Sequence, residues 1–289
     1  MQTQTVGWIG TGVMGRSMAG HLLAKGCPMV VYSRTKPAAA ALVEAGARWV
    51  STPAELASQC QVVFSMVGTP DDVEMVHLGP TGTLRAKTLP RLLVDMTTSS
   101  PGLAERLARE AAAVGVGSVD APVSGGDVGA RNATLSIMCG GSQADFDAVR
   151  PLLEIMGKTI VLQGPPGSGQ HTKMVNQILI AGTMLGLGEA LSYAKRAGLH
   201  PEQVLQSVSG GAAGSWALSN LAPRVLKDDF APGFAIEHFI KDLGIALAEA
   251  TRMNLDLPMV QTARATYAAL AAAGHSRSGT QSIVKAYHW

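Results

Sequence analysis

The stretch VGWIGTGVMGRSMAGHLLAKG, residues 6–26, decides the fold of this chain. Val6–Gly10 is short and apolar, which predicts a buried strand, and the residues after the glycines predict an amphipathic helix that stops at Gly26. Gly10, Gly12 and Gly15 form a G-x-G-x-x-G motif in which the first permits a tight turn, the second admits a pyrophosphate and the third brings helix and strand close together. This context predicts a dinucleotide-binding site, although a purely structural glycine turn fits the same letters.

Composition excludes several other classes of protein. The chain has 289 residues, a net charge of +2 and only 4% aromatic residues, which argues against nucleic-acid or membrane-surface binding and predicts two domains. Cys27, Cys60 and Cys139 fit neither a disulfide nor a zinc pattern, so we expect a cytoplasmic protein, and the scattered histidines predict no metal site. The most apolar long run, residues 174–190, contains Asn176 and Gln177, which favours a core helix over a membrane span.

The two halves of the chain differ in pattern. In the first half, short apolar runs alternate with helical patterns, which predicts an α/β domain with a doubly wound parallel sheet. A strand is expected at Val119–Val123, and a loop rather than a helix is expected before a strand at Thr134–Cys139. After the sequence GPPG at 164–167 the pattern is helical, with one long helix over His171–Ala197 and another helix at Ser215–Lys227. The expected domains are a dinucleotide-binding domain at 1–164 and a helical domain at 165–289.

The end of the second strand predicts which nicotinamide cofactor binds. A dinucleotide fingerprint usually continues to an Asp or Glu that binds the ribose 2′-hydroxyl, about 20 residues on. This chain has Ser33, Arg34 and Thr35 there. Because no carboxylate repels a 2′-phosphate and Arg34 offers charge-assisted hydrogen bonds, we predict NADP(H) in preference to NAD(H). The alternative is a solvated surface arginine.

Two further stretches carry polar groups suited to a small substrate. Lys173, Asn176 and Gln177 are spaced i, i+3 and i+4, so they share one face at the start of the long helix. They suit a proton donor flanked by amides, and equally a surface lysine beside amides that cap the helix. The residues Ser124-Gly125-Gly126 follow a strand at its carboxyl end, where they form either a carboxylate-binding turn or a plain glycine turn.

Four motifs in order resemble the β-hydroxyacid dehydrogenase family, which includes 3-hydroxyisobutyrate dehydrogenase, tartronate semialdehyde reductase and the glyoxylate/succinic semialdehyde reductases. They are GWIGTGVMGRSMAGHLL, DAPVSGGDVGARNATLSIMCGG, GSGQHTKMVNQ and KDLGIALAEA, and the resemblance covers essentially the whole chain. It implies an N-terminal Rossmann domain, a long interdomain helix and a helical C-terminal domain that packs against a partner subunit, so we expect a homodimer or homotetramer.

The resemblance also implies roles for individual residues. Lys173 would be the catalytic acid/base in hydride transfer between NADPH and a short semialdehyde or 3-hydroxy acid. The substrate and its carboxylate would be held by Ser124, Gly125, Gly126, Asn176, Gln177 and Phe234. Cofactor contacts would come from Gly10, Thr11, Gly12, Val13, Met14, Gly15, Ser33, Arg34, Thr35, Met66, Val67, Thr98, Lys241 and Asp242.

The resemblance leaves two departures and two alternatives. Some members have asparagine where Gln177 stands, and the substrate motif usually has glycine where Ala133 stands, so we expect small effects from both. An NADPH-dependent imine reductase of the same superfamily is one alternative, although those enzymes commonly lack a lysine at the position of Lys173. A cofactor-binding protein without turnover is the other.

Overall fold

The computed structural model describes residues 4–287 and residue 289, and it divides into two compact units, Met1–Lys173 and Met174–Trp289. The first unit is an α/β fold and the second is helical. This confirms the predicted fold class, with a doubly wound sheet, a long helix and a helical C-terminal part.

The first unit is organised around a mostly parallel sheet that has nine strands within the described residues. The strands are β1 (Val6–Ile9), β2 (Met29–Tyr32), β3 (Arg48–Trp49), β4 (Val62–Ser65), β5 (Leu92–Asp95), β6 (Gly117–Asp120), β7 (Val123–Ser124), β8 (Leu135–Gly140) and β9 (Gly157–Gly164). Their order is β3-β2-β1-β4-β5-β6-β8-β7, with β9 on β8. Strands β1 to β6 run parallel, whereas β8 is antiparallel to β6 and β7.

Helices cover both faces of this sheet. They are α1 (Val13–Ala24), α2 (Ala40–Glu44), α3 (Pro53–Ala57), α4 (Pro70–Leu78), α5 (Pro101–Ala112), α6 (Gly126–Arg131) and α7 (Gln143–Leu153). Because side chains alternate along a strand, Trp8 enters the core on one face of the sheet and Ile9 enters the core on the other. Burial of both faces explains why the central strands are continuously apolar.

The region after β6 differs from the sequence prediction in two places. The expected strand Val119–Val123 is divided into β6 and β7, and the break falls at Ala121 and Pro122, because proline has no N–H to donate to a ladder. The segment expected to be a loop contains helix α6, which begins after Gly125 at a φ of 130°. An Arg131–Asp127 ion pair one turn apart supports this short helix despite its glycines.

The second unit is built from helices packed around its own apolar core. The elements are the long helix α8 (Ser168–Arg196), which starts in the first unit, then α9 (Pro201–Val208), α10 (Trp216–Asn220), α11 (Ala222–Val225), α12 (Ile236–Arg252) and α13 (Pro258–Leu270). A π-helical turn (Ala271–His275) and a 3₁₀ helix (Thr280–Tyr287) follow. The predicted single helix Ser215–Lys227 is wrong: it breaks at Leu221, where the following Pro223 begins a new first turn.

Helix α8 has 29 residues and three glycines in its middle. A Cβ on Gly188 would approach the Tyr287 ring to 2.8 Å, whereas a Cβ on Gly186 would meet nothing within 4 Å. One of these glycines therefore permits close packing inside the unit, and another lies on an open face. Among the described residues α8 is the one helix whose length and hydropathy would also suffice to cross a membrane, and 44% of its most apolar window is buried within the protein.

Candidate active site

The turn between β1 and α1 has the geometry that its glycines predict. Gly10 has a φ of 93°, and a Cβ there would collide with the carbonyl oxygen of Met66. A Cβ on Gly15 would collide with the carbonyl oxygen of Gly10, so this helix lies directly against the end of the strand. A Cβ on Gly12 meets nothing within 4 Å, which leaves its backbone open to a ligand.

The N-terminus of α1 fits the phosphates of a nucleotide. It has no side-chain cap and no acidic residue in its first turn, so neither a cap nor an anion of that turn occupies its N–H groups and positive dipole end. The Thr11 Oγ1 atom beside them is buried, with no hydrogen-bond partner in the described part of the chain. A groove of about 500 Å³ runs from this turn past Arg16 to Pro37, Ala38, Ala40, Ala41 and Glu44. Val13 and Met14 lie in the same first turn of α1.

The three predicted cofactor contacts after β2, residues 33–35, differ in solvent exposure. Arg34 is 82% exposed, and its Nη1 atom lies 3.2 Å from an oxygen of Asp72 in the first turn of α4. Ser33 is buried, and its hydroxyl donates to the carbonyl of the exposed Thr35. Because exposed ion pairs are worth only about 0–1 kcal/mol, Asp72 restrains Arg34 weakly and leaves it available to an anion.

The predicted cofactor contacts at β4 and β5 lie at adjacent strand ends. Strands β4 and β5 pair in parallel register up to Ser65 and Asp95, so the residues that follow them emerge side by side. The Val67 N–H donates to Thr97 Oγ1 over 3.0 Å, which ties the two loops together, and the half-buried Met66 and Thr98 lie within them.

Lys173 lies at the boundary between the two units, on the first turns of α8. It is 6% exposed, and its Nζ donates to the Val123 carbonyl over 2.8 Å. Ser124 directly follows that carbonyl, and Gly125 and Gly126 continue the chain with φ values of 130° and 60°. Within the first unit, the structure thus brings the predicted proton donor to the predicted carboxylate-binding turn.

The second unit joins residues that the sequence assigned to different ligands. Gln177 is fully buried, its Nε2 donates to Asp242 Oδ2 over 2.7 Å, and its Oε1 accepts from Asn176 over 2.7 Å. The Lys241 Nζ lies 3.1 Å from the other oxygen of Asp242. In this structure Gln177 therefore holds Asp242 and Asn176, rather than presenting its amide to open space.

Phe234 lies apart from that chain of contacts. It precedes α12 and meets Phe239 edge to face at 5.6 Å, and Phe239 meets Tyr267 in the same way at 5.1 Å. Phe234 itself is half-buried on the helical core. Its ring is thus in contact with the helical core and still partly accessible.

Sequence reasoning missed a buried polar network at the carboxyl ends of the central strands. The His77 Nε2 lies 2.9 Å from Ser65 Oγ, which donates to Asp95 over 2.7 Å, and the His77 Nδ1 lies 2.9 Å from Thr83 Oγ1. Burial lowers the pKa of His77 from 6.5 to about 4, so its ring is neutral at pH 7. These residues are far apart in sequence, and no short motif contains them.

A second missed group is Asp120 with Gln170. The Asp120 carboxylate accepts the Gly167 and Gln170 N–H groups, each at 2.8 Å. Burial raises the pKa of Asp120 to about 6, and the two backbone hydrogen bonds oppose this rise. Both residues belong to motifs quoted above, but the sequence does not show which groups they form hydrogen bonds with. Among residues 4–287 and 289, no group of three or more His, Cys, Asp or Glu side chains is arranged to hold a metal ion.

Two family models match the chain. The NAD binding domain of 6-phosphogluconate dehydrogenase matches residues 5–164, and the NAD-binding domain of NADP-dependent 3-hydroxyisobutyrate dehydrogenase matches residues 167–287. The chain is 51% identical to the uncharacterized oxidoreductase YkwC of Bacillus subtilis, with 98% of each chain covered. It is 39% identical to 2-hydroxy-3-oxopropionate reductase of Escherichia coli, with 97% of this chain and 96% of that protein covered.

Solved structures agree with these relatives. The 3-hydroxyisobutyrate dehydrogenase of Mycobacterium tuberculosis, in a structure with L-serine, has a TM-score of 0.89 and 27% identity, with 98% of this chain and 99% of that chain covered. Psf3 in complex with NADP+ and 2-OPP has a TM-score of 0.88 and 26% identity over 97% of this chain and 99% of that one. Both the sequence matches and the fold therefore indicate an oxidoreductase with a nicotinamide cofactor.

Proposed function

We propose that this chain, which belongs to the β-hydroxyacid dehydrogenase family, is an NADPH-dependent reductase of a short semialdehyde acid that also oxidises the matching 3-hydroxy acid. The observation that carries the proposal is the placement of Lys173. A lysine that is 6% exposed is held by a backbone carbonyl directly before a Ser-Gly-Gly turn.

Lys173 is the acid/base of the proposed reaction. When bound, the nicotinamide cofactor supplies or accepts the hydride. In reduction, the Lys173 ammonium donates a proton to the oxygen of the substrate carbonyl as negative charge develops there. In oxidation, the neutral amine removes the hydroxyl proton. The Val123 carbonyl accepts a hydrogen bond from Nζ in either state, so it keeps the amine in place through the cycle.

The turn after Val123 is the proposed carboxylate site. Ser124 offers a hydroxyl, and the N–H groups of Gly125 and Gly126 offer backbone donors in a conformation that side-chain-bearing residues rarely adopt. A carboxylate held there lies near the Lys173 ammonium, which favours short acids over neutral aldehydes. In the second unit, Asn176 and Phe234 are proposed substrate contacts on the family resemblance alone, and Gln177 acts through Asp242 and Asn176.

The proposed preference for NADP(H) rests on Arg34. The exposed guanidinium forms an ion pair with the partly buried Asp72, and no acidic residue stands at positions 33–35. A 2′-phosphate gives Arg34 a bidentate partner with more charge than a carboxylate, so it displaces the weak pair.

The decisive experiment measures NADPH consumption with succinic, tartronic and methylmalonic semialdehydes, glyoxylate and one cyclic imine, for the wild type and for Lys173→Ala. We expect turnover of an aldehyde acid and a loss of about 10²–10⁴ in kcat for the variant. Thr172→Ala is the matched control, because the Thr172 hydroxyl donates within the helix, to the Ser168 carbonyl. Retained activity in Lys173→Ala would overturn the acid/base assignment, and turnover of the imine alone would favour the imine reductase alternative.

We also propose that the chain forms a homodimer or homotetramer through α8. Val175, Leu179 and Tyr193 are 58%, 67% and 73% exposed, and at 100° per residue they fall on one stripe of the helix together with Gly186. A monomer rarely leaves such an apolar stripe in water. Light scattering after gel filtration tests the idea: Tyr193→Asp should shift the mass toward a monomer, and a wild-type protein that is monomeric at micromolar concentration would refute it.

A further inference from the structure

The residue before α8 is Gly167, which has no side chain that could cap the helix. Asp120, at the end of β6, performs that task across 47 residues of sequence, because its carboxylate accepts the Gly167 and Gln170 N–H groups. The turn is also pressed against the sheet, since a Cβ on Gly169 would collide with the Met138 carbonyl. The start of α8 therefore packs directly against the backbone of β6 and β8.

The Gln170 side chain adds a second attachment in a different direction. It is fully buried; its Oε1 accepts the Ser99 N–H over 2.9 Å and its Nε2 donates to the Thr97 carbonyl over 2.8 Å. These two bonds use one donor and one acceptor of the same amide. They bind α8 to the loop after β5 on both sides of Thr98.

The same loop continues the network toward the cofactor contacts. The Thr97 Oγ1 accepts the Val67 N–H, and the Thr97 N–H donates to Asp95. Gln170 thus connects the helix that carries Lys173 with the loops that carry the proposed cofactor contacts Val67 and Thr98. Lys173 follows Gln170 by three residues, so the two side chains lie on nearly the same helix face about 4.5 Å apart along the axis.

We propose that Gln170 is a positioning residue: it fixes the first turn of α8 against the loop at residues 97–99 and so sets the Lys173 amine relative to the bound nicotinamide. The inference rests on the proposed function of Lys173. Gln170 is fully buried, and the proposed role needs no contact between it and the substrate or the cofactor. It acts through the Thr97 carbonyl and the Ser99 N–H, which belong to buried residues.

The test compares Gln170→Met, which keeps the side-chain length and removes both bonds, with Gln170→Glu, which keeps an acceptor for the Ser99 N–H. Because a small misplacement of reacting groups costs up to about 10²-fold in rate, we expect kcat to fall about 10–100-fold in Gln170→Met and less in Gln170→Glu. The alkaline limb of the pH–rate profile should shift, since the surroundings of the Lys173 amine change. The dissociation constant for NADPH, measured by fluorescence without substrate, should rise by a smaller factor than kcat falls.

Gln281→Met is the matched control. Gln281 is 1% exposed, and its Nε2 donates to the Asp229 and Ala231 carbonyls, so its loss removes comparable bonds from the second unit. We expect this control to lower thermal stability and to leave the pH profile unchanged. An equal fall in kcat with an equal shift of the alkaline limb in the control would overturn the positioning role.

A double-mutant cycle separates this inference from the proposed function. If Gln170 acts through Lys173, Gln170→Met should slow the Lys173→Ala enzyme by less than threefold, although it slows the wild type by tenfold or more. Equal effects in both backgrounds would refute the inference and leave the Lys173 assignment intact. Should Lys173→Ala keep full activity, the proposed function fails instead. Hydrogen exchange of residues 168–177 without cofactor then still tests the attachment, which predicts faster exchange in Gln170→Met only.

Discussion

We expect the buried His77 to make the free energy of unfolding depend on pH. The size of the effect follows from the shift of its pKa by burial. The ring is fully buried between Ser65 and Thr83, and burial lowers its pKa from 6.5 to about 4. Between these pH values the unfolded chain binds a proton that the folded chain does not. Stability is therefore lost as the pH falls from about 6.5 to 4, by about 3 kcal/mol at 1.36 kcal/mol per pKa unit.

Asp120 contributes with the opposite sign over nearly the same range. Its pKa is raised from 3.8 to about 6, so the folded chain takes up a proton before the unfolded chain does, and this stabilises the fold as the pH falls. The two groups offset each other in the wild type. The informative quantity is thus the difference in unfolding free energy between the wild type and His77→Gln, from which the contribution of Asp120 cancels.

The assay is urea denaturation from pH 7.5 to 4, followed by tryptophan fluorescence. At pH 7.5 His77→Gln should be less stable by about 1–3 kcal/mol, because one buried hydrogen-bond partner is lost. This deficit should shrink by about 3 kcal/mol toward pH 4. Replacement of the exposed His200 by Gln controls for the loss of one histidine. Parallel pH curves for wild type and His77→Gln would refute the reasoning, as would nitrogen-15 NMR spectra that show the His77 ring protonated at pH 6.

Three further outcomes are expected. Ala133 has a φ of 53°, so Ala133→Gly should raise the unfolding free energy by up to about 1 kcal/mol. The control Ala130→Gly, inside α6, should lower it, and thermal melts in which both variants have a lower Tm than the wild type would contradict this. Arg34→Ala should raise the KM for NADPH at least tenfold and leave the KM for NADH nearly unchanged, and equal changes in steady-state kinetics would refute the cofactor assignment. Oxidation of the hydroxy acid should rise from pH 7 to 10 as Lys173 loses its proton, and a flat profile would count against the lysine as base.

Local signals sufficed for most of the first unit. Glycine and proline mark the ends of its strands and helices, and the β1–α1 turn has the backbone conformation that its letters require. The errors fall where such signals conflict. Gly126 and Gly129 argue against helix α6, which an ion pair and its packing nevertheless support, and Pro223 interrupts a helix whose apolar pattern runs through it. Ala133 is a different case. It has a left-handed backbone conformation, with a φ of 53°, which an alanine in the sequence does not indicate.

The candidate site was only partly predictable, because its polar contacts join residues that lie far apart in sequence. Lys173 bonds a carbonyl 50 residues away, and Gln170 bonds groups 71 and 73 residues away. Family motifs identify the residues that would meet the substrate and cofactor. They do not identify His77 or Ser65, whose partners are protein atoms.

The register of the sheet explains how these distant polar residues come together. Ser65, Asp95 and Asp120 are register partners across β4, β5 and β6, so they form one polar row at the carboxyl ends of three parallel strands. The row holds His77 on one side, the Thr97 backbone at its centre and the start of α8 on the other. Ligands of open parallel sheets bind beyond these strand ends, so the groups that fix the loops must lie one layer beneath them. A polar residue in the last position of β4, β5 and β6 is therefore the sequence signal for such a supporting layer, and Gln170 is the point at which this layer meets the helix that carries Lys173.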